Sequence, residues 1–151
     1  MADDWVSNYK NSRGHQKAKE ATNEKLLDMA SDRAVSTFRE LSERIKGDVG
    51  SYTGDGFAQG LTYVFVPAKQ FIVRKPEFPS VTLDVMLEGV TIECRYGFKP
   101  DDTSEKKSKI ARFRLCVDLL GNIYVKRNGD VYTDASEISE AILRPVFDFL
   151  D

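Results

Sequence analysis

The chain has 151 residues, of which 41% are hydrophobic and 30% charged, and its formal net charge is −2. That is the composition of one ordinary globular domain, long enough to bury a core, and without the strong basic excess of most nucleic-acid-binding domains. No apolar run reaches the roughly 20 residues that span a bilayer, and Met1-Ala2-Asp3-Asp4 does not open a signal peptide.

Two cysteines, Cys94 and Cys116, are too few for a disulfide framework or a metal knuckle. The expectation is a cytoplasmic protein with no cofactor and no membrane partner.

Residues 1–25 form a polar leader without a core stripe. Projecting helical spacing backward from Leu27 puts Asn23, Glu20 and Gln16 where core residues should stand. This leader is therefore either a solvated helical extension or a flexible tail, and Gly14 should interrupt any helix in it. Trp5 and Tyr9, four apart, would share one side of a short helix.

Residues 26–151 read as a single α+β domain. Its organising element is an amphipathic helix over residues 26–46. Leu27, Ala30, Ala34, Phe38, Leu41 and Ile45 recur at helical spacing, and Asp28, Asp32, Arg39 and Glu43 take the other side. Gly47 stands where a left-handed helix cap belongs.

Residues 47–60 are rich in glycine and are expected to be a mobile linker. The alternative is a binding loop displaying Tyr52 and Phe57. The glycine spacing does not fit a phosphate loop, and Asp48 and Asp55 do not fit a calcium loop.

From Leu61 the hydrophobic period becomes two. Residues 61–66 and 70–74 read as strands, with Pro67 between them and a proline-broken connection over 75–79. Val81, Leu83, Val85 and Leu87, then Ile92, Cys94, Tyr96 and Phe98, mark a hairpin about a Glu88-Gly89 turn.

After a charged loop over 99–108, residues 109–119 alternate with Ala111, Phe113, Leu115, Val117 and Leu119 on one side. Leu120-Gly121-Asn122 turns into residues 123–127. Asn128-Gly129, favouring positive φ at both positions, leads to a brief strand through Val131 and Tyr132. Asp134, with Glu137 three residues on, starts a closing helix whose apolar side is interrupted by Pro145.

Consecutive strands joined by short turns favour an antiparallel meander of six to seven strands, with the long N-terminal helix packed across it and a C-terminal helix closing the chain. Cys94 then points inward and Cys116 outward, so the two thiols should be free.

The other side of the sheet mixes charge with grease. Arg95, Arg112 and Arg114 could form an anion patch, although the carboxylates of Asp84 and Glu93 intersperse them and no aromatic pair stands between them for base stacking. Val64, Val66, Ile72 and Met86 make the same side partly apolar, as at a buried interface.

The lone histidine, His15, lies in the leader, which removes the usual triad logic and histidine-based zinc sites. Asp84 and Glu93 could pair across the hairpin as acid and base. Tyr63, Phe65, Phe71, Tyr96, Phe98 and Phe113 could line an apolar pocket between helix and sheet.

These residues point to a non-catalytic interaction domain that self-associates as a homodimer or binds a protein partner. The alternative is a small-molecule-binding protein, and nucleic acid is disfavoured.

Overall fold

A computed structural model of the chain describes residues 2–54, 59–66 and 69–151, and their side chains other than those of 2–5, 15 and 17. The elements run α1 (Ala2–Gly54), β1 (Thr62–Val66), β2 (Gln70–Lys75), β3 (Ser80–Glu88), β4 (Thr91–Lys99), β5 (Lys107–Val117), β6 (Ile123–Arg127), β7 (Asp130–Tyr132) and α2 (Ala135–Leu150). The seven strands form one sheet in chain order, every neighbouring pair antiparallel. This is the expected α+β meander with a helix at each end.

Both helices pack on the same face of the sheet. Ala34, Phe38, Leu41, Ile45 and Val49 of α1 meet Phe71, Val73, Leu83, Val85, Ile92, Phe113 and Leu115 from the strands. Ile138, Ile142, Leu143 and Val146 of α2 complete this core. Tyr96 ties sheet to helix, its hydroxyl donating to the Ile142 carbonyl at 2.6 Å. Of the aromatic residues proposed as pocket walls, Phe71, Tyr96 and Phe113 are buried in this core, Tyr63 and Phe98 pack against it partly buried, and Phe65 is left 42% exposed. Phe71 and Phe113 are fully buried, and the Phe38 and Phe71 rings stand 5.4 Å apart.

The long helix is longer than its apolar stripe. It runs unbroken through Gly14, Gly47 and Gly50 to Gly54, so neither the expected interruption at Gly14 nor the cap at Gly47 occurs. A glycine inside a helix costs only about 1 kcal/mol relative to alanine. Tertiary contact offsets that cost beyond Gly47: Val49 is buried, Asp48 Oδ2 accepts from the Ser139 hydroxyl at 2.6 Å, and Tyr52 stacks on Phe147. The stretch expected to be a mobile linker is thus, through Gly54, the last turns of α1 against α2. Phe57, Asp55 and Pro67 lie outside the described residues.

At its other end α1 leaves the sheet. Residues 7–14 and 18–25 are exposed, and among the described side chains of the helix Ala30 is the first that is buried. Leu27, expected in the stripe, is 45% exposed and lines an open depression with Asn23, Val117 and Tyr124. The arm before Asn23 extends for roughly 30 Å at the rise of an α-helix.

Smaller departures follow turn chemistry. The β3–β4 turn is Gly89-Val90, one residue later than expected, with Glu88 paired to Thr91 and Gly89 at φ 60°. At the β6–β7 turn only Asn128 takes a positive φ, of 55°. Strand β5 stops at Val117, because Asp118 Oδ1 accepts from the Leu120 and Asn122 amides and turns the chain, leaving Leu119 exposed.

Asp134 caps α2 by accepting from the Ser136 amide at 2.6 Å. Pro145 sits inside that helix without splitting it, since buried Leu143 and Val146 hold both sides of the missing donor against the core. Among the described residues no helix is long and apolar enough to cross a membrane.

Candidate functional site

With both helices on one side, the opposite face of the sheet carries no covering element among the described residues. Strand register arranges its side chains in rows. One row runs Val64, Ile72, Asp84, Arg95, Ile110 across β1 to β5. The next runs Val66, Gln70, Met86, Glu93, Arg112. A third crosses β3 to β7 as Glu88, Thr91, Arg114, Lys126, Val131.

The structure therefore brings Val64 and Ile72 side by side, with Val66 and Met86 in the adjacent row on either side of Gln70. Two further apolar side chains on this face, Ile110 and Val131, are each 51% exposed. Ile110 was legible from parity, since it alternates with buried Ala111.

The centre of the face is a satisfied polar network. Glu93, though on the open side, is buried beneath two arginines: Arg112 Nη2 donates to Oε1 at 3.0 Å and Arg95 Nη2 to Oε2 at 3.3 Å. Asp84 Oδ1 accepts from Gln70 Nε2 at 2.8 Å. Asp84 and Glu93 stand in different rows, opposite Arg95 and Met86. Each carboxylate engages separate donors, an arrangement unlike an acid–base pair acting on one substrate atom.

The three arginines thus divide. Arg95 and Arg112 share one carboxylate. Arg114 instead faces Lys126 directly across the β5–β6 ladder, a like-charged pairing that costs roughly 0.2–1 kcal/mol in a sheet. Arg112, Arg114 and Lys126, with Thr91 and Asn128, line a depression of about 350 Å³ that contains no carboxylate. Adding Arg74 and Lys99, the strands place six cations on this face against Asp84, Glu88 and Glu93. The face is locally positive on a chain that is negative overall.

Tyr52 lies far from this face, on the helix side. Its ring stacks on Phe147 at 3.9 Å and its hydroxyl donates to Asp151 Oδ1 at 2.7 Å. Burial, then the Asp151 carboxylate, pushes the phenol up to about 12. It is part of the α1–α2 seam and not of a displayed loop.

Between the layers, Leu41, Leu115, Tyr132 and Ile138 help line a cavity of about 140 Å³. Both cysteines are free thiols, Cys94 buried and Cys116 on the open side. Among the described residues no group of three His, Cys, Asp or Glu side chains could hold a metal ion.

The chain matches no family model, no curated protein and no solved structure.

Proposed function

We propose that this chain is a non-catalytic interaction protein whose open sheet face receives a protein partner. One observation carries the reading: both helices cover the same side of the sheet, leaving Val64, Ile72, Met86, Ile110 and Val131 on the other side around a fixed polar centre. An antiparallel sheet can tolerate water on one face, but its solvated side then reads as polar. Apolar side chains on such a face, rimmed by charge, are the mark of an association surface.

The excess of cations gives the partner a chemistry. An acidic surface with an apolar centre would set carboxylates against Arg114 and Lys126 and relieve their mutual repulsion. Two unpaired thiols suit a reducing compartment, and we place the protein in the cytoplasm.

Site-specific photo-crosslinking in cells tests the reading. A crosslinking residue at Met86 or Ile110 should capture one protein species, and the same residue at Glu140, on the exposed side of α2, should not. The purified species should then bind with an affinity that falls on the order of ten-fold or more for Ile72→Lys or Ile110→Lys. No capture from the open face, or equal capture from Glu140, would remove it.

A further inference from the structure

Strand β1 ends the sheet, and among the described residues no strand lies beyond it. In an antiparallel ladder, alternate residues direct their amide and carbonyl groups at the neighbour, and the intervening ones direct theirs outward. An edge strand so placed is normally protected by charge, proline, a bulge or extreme shortness. Thr62-Tyr63-Val64-Phe65-Val66 has no charged residue and no proline, and it pairs with β2 in unbroken register. The opposite edge, β7, is three residues long and carries Asp130.

The core is also incomplete at this edge. Phe65 stands opposite Phe71, and so faces the helix layer, yet it is 42% exposed, while Val64 on the open side is 40% exposed. A large aromatic on the core side gains most when it is fully buried, so this position is left short of what a core site normally gains.

We infer that β1 pairs with β1 of a second copy of this chain, antiparallel about a two-fold axis at Val64, joining two seven-stranded sheets into one of fourteen. The strand's chemistry is palindromic about that residue. Its ends are β-branched Thr62 and Val66, then come aromatic Tyr63 and Phe65, with Val64 at the centre. Closed symmetry demands that residue i meet j and j meet i.

Here Thr62 meets Val66, Tyr63 meets Phe65, and Val64 meets itself. Tyr63 with Phe65 is an aromatic pair of the type that stabilises neighbouring strands, the remaining pairs join β-branched residues suited to a strand, and no like charges are opposed. Tyr63 of the second copy would cover exposed Phe65, twice over. Both sets of helices fall on the same side of the joined sheet, so the open face remains available and this contact is independent of the partner proposed for it.

A five-residue edge buries less than the ~1,200 Å² typical of tight complexes, so the dimer should dissociate in the micromolar range.

Sedimentation equilibrium of the full chain should show a reversible monomer–dimer equilibrium. Val64→Lys, which sets two ammonium groups against each other on the axis, should weaken it on the order of ten-fold or more. Ile110→Lys, at the far end of the same row, should leave it unchanged.

Register is tested by disulfide trapping in a Cys116→Ser background. Val64→Cys alone should crosslink rapidly, since directly opposed antiparallel residues lie about 4.5–5.5 Å apart at Cα. Thr62→Cys alone should not, its two copies being about 14 Å apart, whereas a mixture of Thr62→Cys and Val66→Cys chains should.

A strictly monomeric chain, a dimer broken by Ile110→Lys and not by Val64→Lys, or Thr62→Cys crosslinking as fast as Val64→Cys would each overturn the proposal. The first of these leaves the open-face reading standing. Capture from Met86 failing while the dimer persists does the reverse.

Discussion

Arg112 reaches across the β4–β5 ladder to Glu93 at 3.0 Å, and Arg95 closes on the other carboxylate oxygen at 3.3 Å. The carboxylate is nearly buried while both arginine side chains stay more than half exposed. The solvated arginines keep this triad from being worth more than a surface network. Glu93→Gln should therefore lower unfolding free energy by only about 1 kcal/mol, read as a shift in urea midpoint, and Arg95→Ala by less. A loss of several kcal/mol would mean that the network carries the sheet.

The last turns of α1 are held by a buried hydroxyl. Ser139 is fully buried and donates to Asp48 at 2.6 Å. Ser139→Ala should cost about 1–2 kcal/mol, since it removes a hydrogen bond to a charged group, and Tyr96→Phe about 1 kcal/mol through the lost bond to the Ile142 carbonyl. An unchanged midpoint in Ser139→Ala would show that the helices are joined elsewhere.

The two thiols should separate cleanly. Burial pushes the Cys94 thiol up to about 12, so it holds essentially no thiolate at neutral pH and no reagent reaches it. One thiol per chain should react with Ellman's reagent in the native state and two after denaturation. Cys116→Ser should abolish the native reaction, and persistence of that reaction would place Cys94 in contact with solvent.

The Tyr52 phenol is raised from 10 to about 12, first by burial and then by the acceptor Asp151. The neutral form is the one favoured in the folded chain. Its contribution to stability is therefore complete below pH 10 and is lost as pH rises toward 12. The difference between the ultraviolet titrations of the native chain and Tyr52→Phe should show one phenol with a midpoint near 12. A midpoint near 10, the ordinary value, would undo the stacked, hydrogen-bonded geometry.

Removing residues 2–22 should reduce helical ellipticity and change the unfolding free energy by less than about 0.5 kcal/mol, because the side chains described there are almost all exposed. A larger shift would require the arm to fold back onto the domain.

Much of the fold was legible because strand parity and helical spacing are strong, local signals. The alternation from Val81 to Phe98 and from Ala111 to Val117 put each buried side chain on its correct face, and Asn128 marked its turn. Helix ends were not legible. Nothing in Gly47-Asp48-Val49-Gly50 announces a helix until Ser139 and Phe147, distant in sequence, come to lie against it.

The candidate site divides the same way. Val64, Ile72, Met86 and the arginines could be assigned to one face by counting residues, because side chains in a strand alternate whatever surrounds them. That Glu93 would take two of those arginines, that Arg114 would be left facing Lys126, and that both helices would choose the other side depended on which strands become neighbours and in what register. Those choices are made by burial of the whole core at once, and no short stretch of the chain contains them.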